Sequence, residues 1–350
     1  MGKGWILALL LASSVSGPIT VAKCTPALTR LATVEVSGID AVAIPVKFHG
    51  SDAWMGLSTA SPFSVLLSGA VAKFGLTAKD LEHAPRINYD GIPVMQAVSA
   101  ESLQIGNVTY GAKSDFLVAS GRVTQYRGSP LIGVLGMDLF AHVDLELDLA
   151  HRTLSLFSQD HCPGGGVYWS DSAASVPMER GPMGDLVFPM ELEGKRIETS
   201  IATGQLNSSL RTDVSKRVFN FDENSTGNEV EGTPSRQETY YRAMKLTSSG
   251  LTVNNAKIQL LSPMPWCKLD LPMGSRRPVA YRGCAGVYPL ELGLTVLRKL
   301  RLYFATKECV LYFTAASDSP EHVEAATPAS EHPVHDESAA PPSATPPASK

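Results

Sequence analysis

The sequence predicts an all-β chain of two related lobes with only a few short helices. Three observations carry this. Most of residues 38–160 and 176–315 consists of short alternating or β-branched runs separated by Gly, Asn or Asp, the punctuation of strands and hairpins. One pattern occurs twice at a constant offset of 144, pairing Pro45 with Pro189, Gly50 with Gly194, Thr59 with Thr203, Ser64 with Ser208 and Leu66 with Leu210. Such a gap-free register points to an internal duplication. A second pair recurs later in each half, Ile132-Gly133-Val134-Leu135-Gly136 and Pro289-Leu290-Glu291-Leu292-Gly293.

Taken in order, residues 1–22 read as an export signal. Lys3 gives the positive end, Trp5–Ala12 is apolar but too short for a stable span, and Thr20-Val21-Ala22 is a small-x-small cleavage site. Acylation of Cys24 is the weaker alternative, because Lys23 sits where such signals want a small residue. The first half, 38–160, opens with a strand over 41–48 entering a hairpin at His49-Gly50. Residues 68–76 read as a short helix closed by Gly75, and 101–109 as a strand with a Gly-Asn turn. The run 132–140 is a strand and then a short helix, followed by strands over 143–149 and 153–157. Residues 161–175, with Pro163-Gly164-Gly165-Gly166, form a linker, and the second half, 176–315, repeats the order. Residues 316–350 are rich in Pro, Ala, Ser and Glu without periodicity, which predicts a disordered tail.

Bulk properties narrow the function. A net charge of -4 gives no electrostatic footprint for nucleic acid. No segment after the N-terminal one is long and apolar enough to be transmembrane. The five cysteines, Cys24, Cys162, Cys267, Cys284 and Cys309, suit an oxidising compartment, periplasmic or secreted. Cys267 and Cys284 bracket one loop and are the first candidates for a local disulfide, while Cys162 and Cys309 could pair with each other or with Cys24. Neither Cys-x-x-Cys nor His-x-x-x-His spacing occurs, so no metal site and no cofactor is expected, and Asp160-His161-Cys162 reads as a solvated turn.

Each half resembles the bacterial retropepsin-like and pepsin-like aspartic peptidases, in the duplicated single-chain form. In that family a strand–turn–strand leads into Asp-Thr-Gly, and a hydrophobic-hydrophobic-Gly strand later passes behind that loop. Here the triplets are Ser58-Thr59-Ala60 and Ala202-Thr203-Gly204. The resemblance implies that Thr59 and Thr203 cross-brace the two loops, and that the cleft is lined by Thr59, Ala60, Thr203, Gly204 and, on a flap hairpin over 87–94, Gly91. A second flap could run over 239–253, turning at Ser249-Gly250, and both segments could equally be ordinary hairpins. An alanine at 60 is expected to crowd the cleft floor. Because both halves lie in one chain, a monomer with pseudo-two-fold symmetry suffices.

The chemistry of that family needs two carboxylates sharing a proton, one acting as base on a water and the other as acid on the carbonyl oxygen. Ser58 and Ala202 stand at those positions. A serine can hold a water but cannot deprotonate it, and alanine offers no group at all. Losing a whole catalytic unit costs on the order of a million-fold. Asp52, Asp185 and Asp213 flank the loops and read as surface or capping residues, and His49 lies at a hairpin tip rather than beside Ser58. Three functions follow as expectations: an exported, inactive pseudo-peptidase that binds an extended peptide or protein in the cleft; an endopeptidase with an unconventional site; or a structural module whose cleft is filled by side chains such as Trp54 or Met55.

Overall fold

Two-residue turns set the register of both halves. In the first, strand Ala43–Phe48 turns through His49 and Gly50, with φ of 49° and 76°, into strand Ser51–Leu57, so that Phe48 faces Ser51. In the second, Leu186–Leu192 turns through Glu193 and Gly194, at 49° and 73°, into Lys195–Ile201, with Leu192 facing Lys195. Positive φ at both central residues gives the turn the twist of the strands it joins. The computed structural model describes residues 27–81, 87–89, 92–110, 114–181, 186–233, 236–262 and 288–316. The expected signal segment, Gly91, Asp185, Cys24, Cys267, Cys284 and nearly all of the tail lie outside the described residues.

The fold is all-β and two-lobed. Three large sheets form among the described residues, of ten, eight and six strands. The ten-stranded sheet belongs to the first half and the eight-stranded sheet to the second. At the centre of each, one strand runs parallel to the strand that enters the Thr loop: Ser129–Leu135 beside Ser51–Leu57, and Leu290–Leu292 beside Lys195–Ile201. The six-stranded sheet joins the halves. Its order is Arg30–Glu35, Thr153–Phe157, Asp144–Asp148, Leu300–Ala305, Val310–Ala315, Ala174–Pro177, three strands from either side of the pseudo-two-fold. At its midline Leu145 faces Phe304 and Leu147 faces Leu302, all buried in one continuous core. Burying such side chains contributes about 1.5–3 kcal/mol each.

Helices are short: Ser68–Lys73, Leu294–Leu297, and Thr212–Val214 running on into a wider turn, Ser215–Phe219. The first ends as expected near Gly75, at φ 62°. One expectation is corrected and one alternative is settled. After Gly136 the chain forms successive turns rather than a helix, because the Asp138 carboxylate is drawn back to Ser64 and only i+3 bonds follow, such as Phe140 N–H to Met137 O at 3.3 Å. The second-half hairpin Arg236–Ser248 with Leu251–Leu261 does turn at Ser249-Gly250, yet it is no flap: Ser249 Oγ donates to Ser175 O at 2.6 Å, and Thr247 pairs with Glu191. The tip is thus docked against the lobe's own strands. In the first half the hairpin Ile87–Tyr89 with Ile92–Val94 does form.

Candidate functional site

The two threonine loops meet at the pseudo-two-fold, and the sequence offset of 144 becomes a set of matched contacts. Ser58 N–H donates to Leu135 O, and Ala202 N–H to Leu292 O, each at 2.9 Å. Ser61 N–H reaches Ser58 O at 3.1 Å, as Gln205 N–H reaches Ala202 O at 3.1 Å. Gly136 and Gly293 pass directly behind the loops. A Cβ on Gly136 would lie 2.4 Å from Phe63 O, and one on Gly293 would lie 2.3 Å from Asn207 O. No side chain fits there, which explains the repeated glycine.

Thr59 and Thr203 bind the loops to each other. Thr59 Oγ1 donates to Ile201 O at 2.5 Å and accepts Thr203 N–H at 3.4 Å. Thr203 Oγ1 donates to Leu57 O at 2.7 Å and accepts Thr59 N–H at 3.1 Å. Both threonines are buried, so these bonds satisfy backbone groups that water cannot reach.

At the positions that would carry acids the chemistry differs. Ala202 is buried and inert, while Ser58 is half-buried with Oγ facing Gly204, 3.8 Å from where a Cβ there would sit. That is ordinary contact distance, so the Gly204 position has room for a methyl. The other candidates are spent elsewhere. Asp52 is exposed on its strand, Asp213 pairs with Arg211 at 2.6 Å, and His49 stacks against Phe74 and Phe48 at the far hairpin tip. His49 therefore cannot serve Ser58 as base. Met55 is fully buried in the core, and Trp54 sits edge-on to Tyr126 with ring centroids 5.2 Å apart. Among the described residues no group of His, Cys, Asp and Glu could hold a metal ion. Cys309 is a free thiol, which removes a Cys162–Cys309 bridge from the possibilities.

One buried acid near the loops escaped sequence reasoning. Glu291, 4% exposed, lies on the strand behind the second loop, in register with Ser200 and Ser209, and accepts a hydrogen bond from Gln205 Nε2 at 3.0 Å. Glu291 interrupts an apolar run at the position of Val134 in the other copy, where Val134 pairs with Gly56, but that match shows only once the ladders are known. Through that bond it holds the Gln205 turn.

No family model matches the sequence, and no curated protein matches it. Among solved structures, the chain is similar to the aspartic proteinase from Irpex lacteus, at 12% identity and a TM-score of 0.47, over 82% of this chain and 97% of that one. No helix among the described residues is long and apolar enough to cross a membrane.

Proposed function

We propose that this chain is an exported, aspartic-peptidase-like protein without peptidase activity, which binds an extended peptide or a protein segment between its lobes. The observation that carries the reading is a contrast within one site. The Thr59–Thr203 brace and the glycines behind both loops are kept, while neither Ser58 nor Ala202 offers a proton-transferring group. A brace of this kind holds two lobes about an axis whether or not chemistry occurs there. Catalysis by a carboxylate pair needs both acids in place, and proton sharing between them is what tunes their roles. A peptide lying across the axis would be held chiefly by backbone hydrogen bonds, as an added strand. One chain supplies both halves of such a site, so the reading includes a monomer.

The test is cleavage of a diverse peptide library from pH 3 to 8 by the mature protein, beside the S58D/A202D double variant, with peptide binding measured on both. The reading expects wild type to be silent in cleavage yet to retain peptides. Reproducible cleavage by wild type would sink it. Silence together with no retained peptide would favour the structural module instead.

A further inference from the structure

The central six-stranded sheet carries an unusual load of buried charge. Asp144, Glu146 and Asp148 alternate along one strand with Leu145 and Leu147, and all three acids are at most 3% exposed. The face they occupy is covered by the connection between the halves, residues 161–170, which lies flat against it. A Cβ on Gly166 would come 2.3 Å from the Tyr303 ring, Trp169 stacks on the Arg301 guanidinium at 4.4 Å, and Trp169 Nε1 donates to Thr314 Oγ1 at 2.9 Å. The far end of the strap is thus fastened by aromatic contacts. There Glu146 is matched by Arg301 and Tyr168, and Arg30 donates to Tyr168 Oη at 2.6 Å.

At the near end Cys162 is disulfide-bonded and Gly164 N–H donates to Glu308 at 3.2 Å, and beside them sits His161, whose side chain is 3% exposed. Nε2 lies 2.6 Å from Asp144 Oδ2, and Nδ1 lies 3.0 Å from Cys162 O and 3.6 Å from Glu308 Oε1. Both ring nitrogens therefore face acceptors. A neutral imidazole has one N–H and one lone pair, so it can satisfy only one of these contacts and sets a lone pair against oxygen at the other. Among the described residues the Tyr303 hydroxyl, 3.3 Å from Nε2, is the one neighbour that can donate to a neutral ring, but with the Asp144 carboxylate at 2.6 Å from the same nitrogen the imidazolium matches the acceptors best.

The surrounding groups reinforce this. From the strand Asp144–Asp148 comes Asp144, whose Oδ1 accepts Thr306 N–H at 3.0 Å. From Leu300–Ala305 comes Tyr303, whose hydroxyl donates to Asp144 Oδ2 at 3.2 Å. From the following turn comes Glu308, which accepts Tyr312 Oη at 2.9 Å, and Asp160 flanks the histidine in sequence with its carboxylate turned to Ser158. Arg301 is committed to Glu146 and lies 3.7 Å from Asp148, and Lys307 points to Gln159 O. His161 lies against both Asp144 and Glu308.

We propose that His161 is a proton-operated clasp: as imidazolium it pins residues 161–166 to the sheet that joins the halves, and as neutral imidazole it loosens that end of the strap, which stays tethered through the Cys162 disulfide. Burial disfavours the charged ring, but the Cys162 carbonyl, the Asp144 carboxylate and Glu308 outweigh it and raise the His161 pKa above its ordinary value. A group whose folded pKa is raised contributes stability that is complete below its unfolded pKa, about 6.5 for histidine, and is lost as pH rises through the folded value. The clasp is accordingly shut in mildly acid solution and opens on the alkaline side.

Hydrogen exchange of the full chain, corrected for intrinsic rates and read on peptides covering 161–167 from pH 5.5 to 9, tests this. Wild type should lose protection there by about tenfold or more across the range, while peptides from Asp144–Asp148 stay protected. His161→Gln should abolish the pH dependence. A wild-type profile flat in pH, or a variant with the same slope as wild type, would overturn the proposal. If the variant does not fold, NMR titration of the His161 ring in wild type decides: an imidazolium persisting above the ordinary value supports the clasp, and titration at or below it overturns the clasp.

Discussion

Asp138 holds Ser64 with both carboxylate oxygens, accepting the serine N–H at 2.9 Å and its hydroxyl at 2.6 Å, while Ser64 Oγ in turn accepts Gly136 N–H at 2.9 Å. In the other half Ser208 Oγ likewise accepts Gly293 N–H at 2.9 Å, but the residue matching Asp138 is Thr295, whose buried hydroxyl has no hydrogen-bond partner among the described residues. The duplication has thus kept the serine–glycine contact in both copies and the acidic clamp in one.

Asp138→Ala should therefore destabilise the protein by about 2–4 kcal/mol, since it removes two hydrogen bonds to a charged acceptor and strips the loop's serine of its anchor. Thr295→Val should be neutral or stabilising by up to about 1 kcal/mol, because it replaces an unsatisfied buried hydroxyl with a methyl of similar size. Chemical denaturation of the two variants measures both. Equal losses at the two positions would contradict the asymmetry.

Much of this arrangement was legible in the sequence, and the reason is physical. Register in a sheet is fixed residue by residue, so a duplicated loop keeps its spacing, and Thr59, Thr203, Gly136 and Gly293 announce themselves by fixed offsets. Whether 239–253 forms a flap or an ordinary hairpin is not legible, because an alternating run specifies a hairpin but not the element it docks on; the Ser249 bond to Ser175 is a tertiary fact. His161 read as part of a solvated turn, and Asp160 is indeed exposed there, but the histidine is drawn under the strap by acids on strands far away in sequence. Glu291 was missed for a related reason: a lone acid in an apolar run is uninformative until its ladder partners are known.

The glycines behind the loops make a sharper prediction. Gly136→Ala and Gly293→Ala each force a methyl to within 2.4 Å or 2.3 Å of a backbone carbonyl oxygen, which a flexible side chain cannot relieve. Each should cost more than about 3 kcal/mol or prevent folding, in the range reserved for strain in a closely packed interior. Gly50→Ala is the control. Its φ is 76° but nothing lies within 4 Å of the added Cβ, so only backbone strain of about 1 kcal/mol is expected. Soluble yield and thermal midpoints separate the two cases, and a mild Gly136→Ala variant would mean that the loop is not held against the strand as described.

The threonine brace is predicted to act as a unit. Thr59→Val removes the donor to Ile201 O and the acceptor for Thr203 N–H, leaving two buried backbone groups without partners, at a cost of about 2–5 kcal/mol. Thr203→Val does the same to Leu57 O and Thr59 N–H. The hydroxyls also lie 3.4 Å from each other, so once one is gone the geometry that positions the other is already disturbed. The double variant should then fall short of the summed single losses by about 0.5–3 kcal/mol, the range found for residues sharing one network. Thr→Ser at either position keeps every one of these bonds and should recover most of the stability. A double-mutant cycle by denaturation reads the coupling directly, and strictly additive losses would show two independent hydrogen-bonded loops rather than one brace between the lobes.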